Sequence, residues 1–101
     1  MSIGDDRGAA ETLEYMAWLA RARGLANETV ILYAAADQLR SKLKLPLPPV
    51  EKPLQDANLD FARKALGEPA FKAQWEKGCR TSREDALRLT ANRKEAAVEG
   101  T

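Results

Sequence analysis

Apolar positions recur at intervals of three and four along nearly the whole chain, and no stretch keeps the alternation of a half-buried strand, so the pattern predicts helix throughout. Alanine, leucine, glutamate, lysine and arginine dominate, and all are good helix formers. A first helix runs from near Gly8 to Gly24, a residue suited to a left-handed C-terminal cap, with Arg21 and Arg23 placed favourably against the helix dipole. Its apolar arc is wide: Leu13, Met16, Ala17 and Ala20 form one stripe, Tyr15, Leu19 and Ala22 an adjacent one, and Trp18 falls beside Glu14 and Arg21. Asn27 is the expected N-cap of a second helix, whose stripe is Leu32, Ala35, Ala36, Leu39 and Leu43. These two helices make an αα-hairpin, and the run Ala34-Ala35-Ala36 leaves room for a further helix to come close.

Leu45-Pro46-Leu47-Pro48-Pro49-Val50 then breaks the helical pattern, because prolines remove amide donors and push the residues before them into extended conformations. Between helices this reads as a stiff connector with inward leucines in preference to a proline-rich ligand. Pro53 opens a third helix with Leu54, Ala57, Phe61 and Ala65 on one face, Leu66 at its shoulder, and Asp56, Asp60, Arg63 and Lys64 opposite. Gly67 ends it, Glu68 and Pro69 restart a short fourth helix, and Phe71 and Trp75 project from one side of that helix until Gly78 stops it. Ser82 with Asp85, or Thr81 with Glu84, approximates a capping box for a fifth helix carrying Ala86, Leu87, Leu89 and Thr90. The expectation is one all-α domain over residues 1–101, with about five helices as two αα-hairpins plus a closing helix. Its ordered core spans about 8–91, and residues 92–101 form a frayed tail or linker. The anchors of that core are Leu39, Phe61, Gly67, Phe71, Trp75, Gly78 and Ser82.

Composition narrows the function. With 45% hydrophobic and 31% charged residues the chain reads as a globular domain, and no apolar run approaches the ~18 residues of a membrane span. The start Met1-Ser2-Ile3-Gly4-Asp5-Asp6 lacks the basic residues and apolar block of a secretion signal, which makes the cytoplasm the expected compartment. A single cysteine, Cys79, agrees. The net charge of +1 provides no global attraction to polyanions.

The inventory of reactive groups argues against an enzyme. There is no histidine, the commonest general base and metal ligand, so no metal or cofactor site is expected. Cys79 has no second thiol or imidazole to work with; Lys77 and Arg80 beside it could lower its pKa, but a free surface thiol with no role is the expected reading. Asp5-Asp6 and Glu84-Asp85 are adjacent in sequence and diverge on a helix, unlike a catalytic carboxylate pair. The glycines fit no phosphate-cradling loop. The competing function is DNA binding by the helix after Gly78, using Arg80, Arg83, Arg88, Arg93 and Lys94 on phosphates. Glu84 and Asp85 stand where that helix would meet bases and would repel the backbone, so nucleic acid is disfavoured.

Three blocks in collinear order carry a family resemblance. They are Gly4-Asp5-Asp6-Arg7-Gly8 running into Leu13-Glu14-Tyr15-Met16-Ala17-Trp18-Leu19; Tyr33-Ala34-Ala35-Ala36-Asp37-Gln38-Leu39-Arg40 with Pro46-Leu47-Pro48-Pro49; and Leu66-Gly67-Glu68 through Phe71, Trp75 and Gly78 to Ser82. From Gly4 to Thr90 the chain resembles the C-terminal tetratricopeptide-like, MalT-like repeat region of large bacterial signal-transducing ATPases and transcriptional regulators, whose chains often end in a LuxR-type helix-turn-helix. Ala34 stands where the family commonly has glycine. The sequence holds neither a nucleotide-binding loop nor a separate DNA-binding domain, so those activities do not carry over.

The resemblance implies an α-solenoid terminus without catalysis of its own, which binds proteins and passes signals to neighbouring domains. The first helix of such a repeat also packs on the repeat before it, which would explain its wide apolar arc. Tyr15, Trp18, Leu19 and Ala22 are therefore the candidate protein-interaction surface, for a neighbouring domain, a separate protein or a second copy in a homodimer. A free-standing oligomeric adaptor shares this fold and surface.

Overall fold

In the computed structural model, residues 3–88 are described, with side chains from residue 8 onward. Helix α1 spans Ile3–Ala22, beginning before the expected start at Gly8. One glycine costs a helix only about 1 kcal/mol, too little to break this one. Its end is as expected: Gly24 adopts φ +76° while the Leu25 N–H donates to the Ala20 carbonyl (2.9 Å) and the Gly24 N–H to that of Arg21 (3.0 Å).

Helix α2, Ala26–Leu43, starts directly after this turn, and Asn27 is not its cap. The tight turn leaves no spare residue, so Leu25 takes the N-cap position without a side-chain bond and Asn27 lies exposed in the first turn. Thr29 closes the junction instead, donating from its backbone N–H (3.0 Å) and its hydroxyl (2.9 Å) to the Leu25 carbonyl.

Every residue from Thr29 to Ala36 is buried. A helix apolar on all sides belongs in the middle of a fold, and α2 packs against α1, α3 and α4. The expected stripe of Leu32, Ala35 and Ala36 is buried, and Leu39 and Leu43 are half-buried. Val30, Ile31 and Tyr33 on the other sides are buried as well.

Helix α3, Lys52–Leu66, has Pro53 in its first turn as expected, but it is rotated by one position. Asn58 and Ala62 are buried and Gln55, Leu59 and Leu66 half-buried, whereas Leu54, Ala57 and Ala65 face outward and Phe61 is half-buried. A step of one residue turns a helix by about 100°. Two contacts hold this orientation: the Asn58 Nδ2 donates to the Tyr33 hydroxyl oxygen (2.9 Å), and the Arg21 guanidinium lies 4.4 Å from the Phe61 ring centroid.

Helix α4, Glu68–Cys79, follows after Gly67 alone, whose φ of +86° makes the stop and restart in one residue. Phe71 is buried and stacks with the half-buried Trp75 at 6.5 Å, the anchor that the sequence predicts. Gly78 does not stop the helix. It lies inside α4, buried, where a Cβ would come 2.5 Å from the Ala34 Cβ and 2.6 Å from the Ile31 carbonyl oxygen. The alanine run of α2 thus does admit a close neighbour, and Gly78 is the residue that approaches it.

Ser82 then caps α5, whose described part is residues 83–88: its Oγ accepts from the Asp85 N–H at 3.1 Å. The Thr81 hydroxyl donates to the Lys77 carbonyl (2.7 Å) and takes no part in the cap. Leu89, Thr90 and the expected tail 92–101 lie outside the described residues.

Two apolar clusters flank α2. Leu13, Ala17, Ala20, Leu32, Tyr33, Ala35, Ala36 and Ala86 form one, and Ala26, Val30, Ala62 and Phe71 the other, with Leu59 and Trp75 packed against both. Burying each large side chain contributes roughly 1.5–3 kcal/mol, and Leu13, Leu32 and Val30 are wholly buried. The Cα radius of gyration, 13.2 Å, matches the roughly 13 Å of a globular chain of about 100 residues. The described fold is all-helical, and none of its helices is long and apolar enough to cross a membrane.

Gly78→Ala should destabilise the chain by about 2–3 kcal/mol, since the new methyl group meets backbone that cannot rotate away. Urea unfolding followed by circular dichroism measures this, and a variant as stable as wild type would contradict the close approach.

Candidate functional site

Arg40 lies four residues after Ala36 on the buried side of α2, and a cation there requires partners for its donors. Glu14 of α1 provides two: Nε donates to Oε2 at 2.6 Å and Nη2 to Oε1 at 2.9 Å, a bidentate fork. The same guanidinium donates from Nη1 to the carbonyls of Leu45 and Pro46, both at 3.2 Å. Those carbonyls belong to the connector, whose path therefore depends on Arg40. Lys44 ends α2 at a left-handed φ of +57° without glycine, a conformation costing about 1–2 kcal/mol, and the Leu45 N–H donates to the Arg40 carbonyl (2.9 Å) across this turn. The Glu14 hydrogen bonds raise the Arg40 pKa further above its already high ordinary value.

A groove of about 300 Å³ opens beside this pair. Glu11, Glu14, Tyr15 and Trp18 contribute one face of α1 at i, i+3, i+4 and i+7, while Tyr33, Leu47, Glu51, Leu54 and Gln55 complete the lining. Tyr15 and Trp18 stack at 5.9 Å, yet they are 60% and 40% exposed. Tyr15, Trp18, Val50 and Leu54 are the large apolar side chains exposed among the described residues, and three of them line this groove. Beneath them Tyr33 is buried, and desolvation is the main cause that raises its phenol pKa; the Asn58 hydrogen bond lowers it, and the charges of Glu14 and Glu51 raise it further.

No family model, curated protein or solved structure matches the chain. The site is therefore read from its own side chains. Of the expected interaction residues, Tyr15 and Trp18 share the groove, whereas Leu19 is half-buried and Ala22 exposed, and neither lines it. Among the described residues, the chain from Ile3 to Tyr15 is helical.

Sequence reasoning missed Glu11, Glu51 and Leu54 as parts of one groove and Arg40 as the buried partner of Glu14 beside it. Two signals were available. Arg40 continues a buried stripe, and Glu11 and Glu14 share the helical spacing of Tyr15 and Trp18.

The other candidates carry less. Cys79 is half-buried at the end of α4, and burial, followed by the Asp37 charge, raises its pKa, while the Gln38 hydrogen bond and Arg80 oppose the rise. Of the arginines proposed for DNA, Arg83 pairs with Glu84 (3.0 Å) and Arg88 with Asp85 (3.6 Å), while Arg93 and Lys94 lie outside the described residues. Among the described residues no group of three or more acidic or cysteine side chains is placed to hold a metal.

Arg40→Ala should cost about 2–3 kcal/mol, somewhat less than the ~3–5 kcal/mol of a fully buried pair, since both side chains keep slight solvent access. Arg40→Lys should recover only part of this because an ammonium cannot form the fork. Chemical denaturation of both variants tests the pair, and equal stability of Arg40→Lys and wild type would refute the need for a fork.

The Tyr33 shift predicts an alkaline effect of definite sign. Folding retains the phenolic proton, so stability is full below the ordinary pKa of 10.0 and falls as pH rises from there through the raised value. Absorbance titration near 295 nm should show a tyrosine titrating late, and Tyr33→Phe should abolish that step.

Proposed function

We propose that this chain is a non-catalytic protein-interaction or signal-transmitting module: the terminal tetratricopeptide-like repeats of a larger bacterial regulatory protein of the cytoplasm, with the outer face of α1 receiving the partner. The observation that carries the reading is the stacked, exposed pair Tyr15 and Trp18 sharing one groove with the exposed Leu54. Exposed aromatic side chains gathered in a concavity, not scattered over a surface, are what protein interfaces use as anchors.

The packing also supports it. Helix α2 lies between the other helices, and Glu14 and Arg40 fix α1 from beneath, so the groove wall on α1 stays rigid while its outer side chains remain open. A preformed surface loses little conformational freedom on binding. The DNA-binding alternative draws no similar support from the geometry, because α5 pairs Arg83 and Arg88 with its own carboxylates.

Selection of linear peptides from a displayed library tests the proposal, with wild type and a Tyr15→Ala/Trp18→Ala double variant immobilised in parallel. Both side chains are exposed, so the variant should keep the wild-type circular dichroism. Peptides should enrich on wild type and bind the variant at least about tenfold more weakly, as loss of an interface anchor does. If nothing enriches on wild type over the variant, and the chain sediments as a monomer at high concentration, the proposal fails.

A further inference from the structure

We infer that the groove beside Tyr15 and Trp18 takes a linear segment of a partner protein in which a lysine or arginine stands next to bulky apolar side chains. This inference rests on the reading of the chain as a protein-interaction module and adds the chemistry of the partner.

Charge complementarity selects this occupant. Three carboxylates line the groove, those of Glu11, Glu14 and Glu51, and no lysine or arginine does. Glu14 is neutralised by the fork from Arg40, whereas Glu11 and Glu51 are exposed and make no ion pair among the described residues. Arg40, whose charge also acts on Glu11 and Glu51, has its donors filled by Glu14 and the connector carbonyls, and two cations close in sequence to groove residues, among the side chains described, are committed elsewhere. Lys52, next to Glu51, pairs with Asp56 at 3.2 Å, and Arg21, one turn beyond Trp18, lies over the Phe61 ring. In a chain whose net charge is +1, the groove is thus a local acidic site. Glu51 is also among the charges that act on Tyr33 at its floor, so the carboxylate field reaches into the concavity.

The two other features of the groove suit the same occupant. The faces of Trp18 and Tyr15 attract cations, and a guanidinium or ammonium against them lies within reach of carboxylates on the rim. Leu54 and Leu47 offer apolar contact for the residues next to that cation. A segment, not a small ligand, fits the shape: a second concavity of about 370 Å³ shares Glu14, Leu47 and Gln55 with the first and continues it towards Lys44. Asp37 and Lys44 give that continuation mixed charge, so the cation belongs at the Trp18 end.

The test extends the peptide selection. The enriched pool should be rich in lysine and arginine beside leucine or aromatic residues, and the strongest peptide should be titrated calorimetrically alongside versions with its basic residues changed to glutamine and to glutamate. The glutamate version should bind at least about tenfold more weakly than the parent at low salt. The difference should shrink as ionic strength rises from about 0.1 to 1 M and the screening length falls from roughly 10 to 3 Å. In a Glu11→Gln/Glu51→Gln variant the parent and its glutamine version should bind alike. In Glu11→Lys/Glu51→Lys the preference should invert towards the glutamate version, a reversal that a merely structural role for these exposed residues would not produce.

A pool without basic enrichment, or equal binding of the lysine and glutamate versions, overturns the inference and leaves the interaction module standing. A homodimer that Tyr15→Ala/Trp18→Ala dissociates also overturns it, because the occupant is then a second copy. No enrichment of any peptide on a monomeric chain overturns both.

Discussion

A guanidinium removed from water must place its donors, and the way Arg40 does so determines the shape of one side of this molecule. Two donors go to Glu14 and so join α1 to the C-terminal half of α2. Nη1 takes the carbonyls of Leu45 and Pro46, which are free because the prolines that follow interrupt regular hydrogen bonding. The connector is held against α2 at its first two residues, and α3 begins seven residues after Leu45. The groove wall made by Leu47, Glu51, Leu54 and Gln55 thus faces the wall made by α1 through a chain of contacts that starts at one side chain. Such a pair adds modestly to stability compared with apolar packing, and its strength is specificity: displacing either member leaves a charge without solvent.

On another side of α2 the constraint is the absence of atoms. Gly78 and Ala34 allow α4 to lie against α2 with backbone nearly touching backbone, and no larger residue fits at Gly78. Since α2 also carries Tyr33, which receives the Asn58 hydrogen bond from α3, each neighbouring helix meets α2 through a different chemistry. A bidentate ion pair orients α1, a single hydrogen bond orients α3, and steric fit positions α4. Apolar burial supplies the driving force common to all three and discriminates little between helix orientations, so these local contacts decide the geometry.

This division explains what could be read in the sequence. Stops and starts that depend on a residue's own backbone were legible, as at Gly24, Pro53, Gly67 and Ser82, because a left-handed φ, a missing amide or a capping hydroxyl acts within a few residues. The Phe71 and Trp75 pair was legible because four residues bring two side chains together on any helix. Gly78 was misread because a glycine near a helix end looks the same whether it relieves backbone strain or makes way for a distant neighbour. The face of α3 was misread for a similar reason: hydropathy favours Leu54 and Ala57 over Asn58, whose partner, the Tyr33 hydroxyl, stands 25 residues earlier. Asn27 lost the cap position to the tightness of the turn before it. For Gly78 and Asn58 the deciding partner lay beyond the reach of periodicity.

The candidate site divides along the same line. Tyr15 and Trp18 could be singled out from α1 alone as apolar residues beyond what one helical stripe can bury. Their acidic setting could not, since Glu51 and Leu54 arrive across the connector and the effective charge of Glu14 depends on Arg40. Glu11 and Glu14 occupy adjacent turns of one helical face with the same side chain and have opposite duties, one turned to solvent and one locked to a cation beneath. Had both been exposed, the groove would carry another negative charge and α1 would lose its tie to α2. Had both been paired, the rim on α1 would be neutral. The side of α1 that fixes the fold and the side that faces outward meet between these two carboxylates, and the groove lies along that boundary.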